Sequence, residues 1–68
     1  MHYRITYHNK SATTLENSTL DTVAKYIKQS IYVHGMPQIV EELNEDGEVL
    51  CTHIVDFIVF FPITPTGE

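Results

Sequence analysis

The sequence predicts an α+β domain of β-α-β-β order, a three-stranded mixed sheet with one helix packed on one face. Three observations predict it. The segment 2–8 alternates apolar and polar residues, the period of a strand with one wet face. The segment 19–34 repeats its apolar residues at helical spacing. The segments 38–44 and 48–61 are rich in β-branched and aromatic residues and are joined through Asp46-Gly47, a hairpin signal. With 68 residues and no internal repeat, the chain reads as a single domain spanning 1–68.

In the first strand, Tyr3, Ile5 and Tyr7 share one face, and His2, Arg4, Thr6 and His8 share the other. Residues 9–17 are polar and aperiodic and read as a connection, extended only briefly at Thr13-Thr14-Leu15. Ser18 is placed to cap the helix, because its hydroxyl can accept from an orphaned first-turn amide; Asp21 suits the positive end of the dipole. Leu20, Val23, Ala24, Ile27 and Ile31 form the apolar stripe, and Asp21 and Lys25 stand four apart on the polar side. Gly35 supplies a left-handed stop after His34, and Pro37 prevents continuation.

The hairpin register follows from the turn. If Glu45 faces Glu48, Leu43 faces Leu50 and Ile39 faces Ile54. One face then carries Ile39, Leu43, Leu50, Ile54, Ile58 and Phe60. The other carries Val40, Val49, Cys51, Val55, Phe57, Val59 and Phe61, interrupted by Glu42 and His53. The last strand is the most apolar and is placed centrally. A helical crossover makes the first two strands parallel, giving the order 2-3-1. Pro62, Pro65 and Gly67 end the strand, and 62–68 reads as a loose tail.

A chain this short buries roughly 60% of its unfolded surface, so disulfides, a metal or association usually supplement its core. Cys51 is the only cysteine, which excludes an internal disulfide and reads as intracellular, cytoplasmic placement. No four-ligand Cys/His spacing occurs, so no structural metal and no cofactor is expected. Association remains. One helix stripe covers one sheet face only, so the chain is expected to pair with itself, as a homodimer or higher oligomer, through Val55, Phe57, Val59 and Phe61.

A net charge of −5 argues against direct nucleic-acid binding. No segment approaches the roughly 20 apolar residues of a membrane span, and the N-terminus lacks the pattern of a signal peptide. Residues 1–34 carry +2 and residues 35–68 carry −7. Glu41, Glu42, Glu45, Asp46 and Glu48 bunch at the hairpin tip, which serves either to keep a sticky strand soluble or to dock on a basic surface. Glu42, Glu45, Asp46 and Glu48 are the candidate partner-binding residues, and the expected partner is a protein with a basic surface.

Catalysis is not expected. Cys51 lies among apolar strand neighbours, where thiols are inert. Glu41 and Glu42 point to opposite faces, and the three glycines form no phosphate loop. His2 and His8 stand about 20 Å apart along one strand, too far to share an ion. Cys51 and His53 share a side, where a residue of the first strand could complete a metal site. Tyr3, Tyr7, Tyr26 and Tyr32 could stack on a flat ligand, although Tyr26 and Tyr32 flank the helix stripe and suit ordinary packing.

In size and charge the chain resembles the small acidic inhibitors made by bacterial viruses, such as those against uracil-DNA glycosylase. In length and element order it resembles the dodecins, flavin-storing oligomers. The absence of tryptophan weighs against a dodecin flavin site. Neither resemblance reaches a motif, so no functional residues carry over. The resulting expectation is a small acidic, non-enzymatic interaction protein, a phage- or mobile-element-type inhibitor of a host protein. The second is a ligand-carrying oligomer using the tyrosines and the Cys51/His53 face.

Overall fold

The computed structural model describes residues 1–56 and 58–63. The elements in chain order are β1 (His2–Tyr7), β2 (Ala12–Leu15), α1 (Leu20–His34), β3 (Pro37–Leu43), β4 (Val49–Asp56) and β5 (Val59–Ile63). The five strands form one antiparallel sheet in the order β2-β1-β3-β4-β5. This replaces the expected three-stranded mixed sheet of order 2-3-1. Single-domain, α+β character with one helix remains.

Two chain reversals account for the difference. The first follows β1. The Tyr7 amide donates to the Ser11 carbonyl at 2.9 Å, and Lys10 N–H donates to the Tyr7 carbonyl at 3.0 Å. The Asn9 side-chain oxygen accepts from the Ser11 amide and hydroxyl, a local bond asparagine is suited to make in turns. Lys10 takes the left-handed conformation at φ 76°. Ala12–Leu15 then pairs back on β1, with Tyr3 opposite Leu15 and Ile5 opposite Thr13. This added strand reverses the chain before the helix, so β1 and β3 meet antiparallel with Ile5 opposite Val40.

The second reversal falls between Asp56 and Val59. The long apolar run is two strands, not one, and Val55 faces Phe60 while Ile54 faces Phe61. Partners across an antiparallel pair share a face. Val59 and Phe61 therefore join the face of Ile54, and Phe60 joins Val55, the opposite of the expected assignment. The last segment lies at the edge, where Pro62 is tolerated. Pro62 and Ile63 belong to β5, whereas the remainder of the expected tail and Phe57 lie outside the described residues.

The expected β3–β4 register holds over four pairs, from Ile39 opposite Ile54 to Glu42 opposite Cys51. A bulge then shifts it, so Leu43 faces Val49 and not Leu50. The tip explains the shift. Gly47 N–H donates to the Asn44 carbonyl and the Asn44 amide donates to Glu48, closing a three-residue loop with Gly47 at φ 86°. The Asn44 side-chain oxygen also accepts from the amides of Asp46 and Glu48, both at 2.9 Å. Glu45 and Glu48 are not the directly opposed pair.

The helix starts one residue later than expected. Thr19 caps it by accepting from the Thr22 amide at 3.3 Å, while the Ser18 hydroxyl donates to the Glu16 carbonyl. Gly35 ends it at φ 79°, its amide donating to Ile31. Val23 and Ile27 are fully buried, and Leu20, Ala24 and Ile31 are half-buried, so the predicted stripe faces the sheet. The core joins them to Tyr3, Ile5, Tyr7 and Val40, with Leu15, Tyr26, Val55 and Phe60 packed around. Tyr26 fits its packing expectation, but Tyr32 does not: it is 97% exposed at the helix end.

Burial of Tyr3 and Tyr7 gives the fold an alkaline limit. Both phenols are pushed above the ordinary 10.0, first by desolvation; Glu42 beside Tyr3 adds to the rise. The folded state thus favours the neutral phenol. That stabilisation is complete below pH 10, where both states are neutral, and is lost as pH rises through the folded pKa. Unfolding free energy is expected to fall above about pH 10, with the fall reduced in Tyr7→Phe. Urea midpoints across the alkaline range check this; an identical alkaline slope in Tyr7→Phe would contradict it.

Candidate functional site

The helix covers one face of the sheet, and the alternation of the strands determines what the other face shows. Its β1–β2 half is polar: His2, Arg4, Thr6 and Thr14. There Arg4 Nε donates to Glu41 Oε1 at 2.7 Å, joining β1 to β3. Its β4–β5 half is largely apolar, with Thr52 opposite Ile63 and Asp56 opposite Val59 at its ends. Ile54 and Phe61 face each other, with Val59 and Ile63 on either side along β5. Their exposures are 51%, 52%, 50% and 45%. Four large apolar side chains, each half in water and adjacent in register, make a contiguous apolar patch.

Of the expected self-association residues, Val59 and Phe61 lie in this patch. Val55 points to the helix side and packs on the core, and Phe57 lies outside the described residues. Ile54 and Ile63 belong to the patch but were not singled out in the sequence. Their alternation with Val55 and Pro62 is visible there once β4 and β5 are separated.

The acidic tip is similarly divided. Glu45, Asp46 and Glu48 are exposed. The Glu48 carboxylate accepts from the Asn44 amide group at 2.9 Å. A shallow depression of about 250 Å³ lies beneath the tip, lined by Glu45 and Asp46 together with His2, Thr14, Glu16 and Leu43. Glu42 does not belong to this surface. It is half-buried on the helix side of the sheet, where the Tyr3 hydroxyl donates to its Oε2 at 3.4 Å.

Glu42 meets Cys51 and His53 instead. Glu42 and Cys51 are cross-strand partners, and His53 follows two residues along β4 on the same face. One ligand-capable atom from each lies within 4.8 Å of the others. His53 is 6% exposed, its ring 6.2 Å from that of Phe60, and neither ring nitrogen has a hydrogen-bond partner among the described residues. Sequence reasoning paired Cys51 with His53 but sought the third group on the first strand. The hairpin register, which sets Glu42 opposite Cys51, carried the signal.

The tyrosines do not assemble a ligand platform. Tyr3 and Tyr7 are core residues at 4% and 1% exposure, and Tyr7 packs its ring 5.2 Å from that of His34. A separate hollow of about 500 Å³ lies at the helix end between Lys28, Ile31, Tyr32, Gly35 and Met36. The element order also departs from the β-α-β-β order behind the dodecin resemblance. No helix among the described residues is long and apolar enough to cross a membrane. No protein-family model, curated protein or solved structure matches the chain.

Proposed function

We propose that this chain is a small, non-enzymatic interaction protein that pairs with a second copy through the open half of its sheet. Through its acidic tip it docks on a basic protein surface. The observation that carries the reading is the one-sided covering of the sheet. Ile54, Val59, Phe61 and Ile63 stay half in water while the helix occupies the opposite face. Burying such side chains contributes about 25 cal/mol per Å² removed from water, so a self-complementary contact has a driving force. A two-fold arrangement matches the patch to itself and closes the assembly at two copies.

The tip supports the second half of the reading. Glu45, Asp46 and Glu48 are exposed and rigidly presented by the bonds that Asn44 makes around the loop. Charge of one sign at a fixed position chiefly accelerates and orients encounter with the opposite sign. Where the basic surface is a partner's working site, docking blocks it, which is the inhibitor role.

Reversing the tip tests the reading as a whole. Glu45→Lys, Asp46→Lys and Glu48→Lys together are expected to abolish capture of basic partners from cell extract and to leave self-association unchanged. Glu42 is kept, because it faces the helix side. Capture that survives reversal, or self-association that depends on the tip, contradicts the reading.

A further inference from the structure

We propose that Glu42, Cys51 and His53 form a binding site for a divalent transition-metal ion of the zinc class. Three observations converge. The register places a carboxylate, a thiol and an imidazole on one face of two adjacent strands, with ligand-capable atoms within 4.8 Å of one another. The imidazole is buried to 94% and neither of its nitrogens is partnered among the described residues, a costly state for a polar ring. The Tyr3 hydroxyl donates to Glu42 Oε2 at 3.4 Å, so the carboxylate of the cluster is already oriented by a neighbour.

The donor set selects the ion. Thiolate and imidazole are soft to borderline donors, which disfavours magnesium and calcium and suits zinc, cobalt(II) and their neighbours. A tetrahedral zinc with bonds of about 2.0–2.3 Å holds its ligands roughly 3.3–3.7 Å apart. The cluster must close by about 1 Å to reach that spacing. Three protein ligands leave a fourth position for water. The hydroxyl of Tyr3 acts behind the carboxylate as an orienting group, as such partners commonly do. Bound there, the ion ties β3 to β4 across the sheet. The Cys51 thiol makes only a weak 3.9 Å contact to the Thr52 carbonyl, so coordination displaces little.

The test uses the full chain, stripped with a chelator and titrated with cobalt(II), then with zinc. One equivalent of cobalt per chain is expected to produce thiolate-to-cobalt charge-transfer absorption, which zinc then removes. Cys51→Ser, checked for folding by circular dichroism, is expected to lose the absorption. Glu42→Gln is expected to weaken zinc binding at least about tenfold. Combined Glu45→Gln, Asp46→Asn and Glu48→Gln is expected to change neither, which separates the site from loose binding at the acidic tip. Independently of any variant, zinc must shift the His53 ring resonances of the native chain. Absent charge-transfer absorption, unmoved His53 resonances or zinc binding that follows the tip variant would each overturn the proposal.

Discussion

Phe61→Glu is expected to separate the proposed pair into single chains without unfolding them. The side chain is 52% exposed and lies opposite Ile54 on the open face, so a carboxylate there stays hydrated in the separated subunit. In a two-fold contact the residue enters twice, once from each copy, and must lose that water. Truncating a central aromatic of an interface commonly costs about 2 kcal/mol or more. Two copies together cost about 4 kcal/mol, which weakens association on the order of a thousand-fold. Molar mass by light scattering checks it. A variant that keeps the native mass would place the contact elsewhere.

Ile5→Ala is expected to have the largest effect on the fold itself. Ile5 is wholly buried, lies opposite Val40 in the middle of the sheet and belongs to the same cluster as Val23 and Ile27 of the helix. Removing a buried isoleucine to alanine costs about 2–5 kcal/mol, the transfer term plus the cavity left behind. A domain of this length has a total stability of about 3–10 kcal/mol, so the variant is expected to lose a large share of it and to unfold at a much lower urea concentration. Ile54→Ala provides the contrast: on the open face, at half exposure, it is expected to cost the subunit less than about 1 kcal/mol. Urea unfolding of the two variants side by side checks it. Equal losses would show that the open face is packed within one chain.

These expectations rest on which faces the sequence disclosed. The first strand, the helix stripe, the Gly35 stop and four pairs of the hairpin register were legible because each depends on a local period or a local turn residue. Ala12–Leu15 was obscured because it is a short edge strand whose pairing depends on β1 and on a turn built from Asn9 and a left-handed Lys10. Missing one reversal inverts the direction of everything after it, which is why a parallel pair was expected where β1 and β3 run antiparallel.

The run after Val49 misled for a different reason. Read as one strand it is apolar on both faces, the pattern of a strand covered on both sides. Folded back at Asp56, it alternates properly. Val55 and Phe60 face the helix, and Ile54, Val59 and Phe61 face outward. Its length was the available warning, since strands average about 5–6 residues. The uncovered apolar residues therefore lie on two strands of one face. The Glu42–Cys51–His53 cluster was legible only by combining the register with the chemistry of all three residues, because Glu42 counts equally well among the acids of the tip.

The most direct test is the molar mass of the native chain by sedimentation equilibrium across a range of concentrations. In the proposed pair, a second copy covers Ile54, Val59, Phe61 and Ile63. The account predicts a mass twice that of one 7.8 kDa chain, falling toward one chain on dilution. A single-chain mass at every concentration would contradict it.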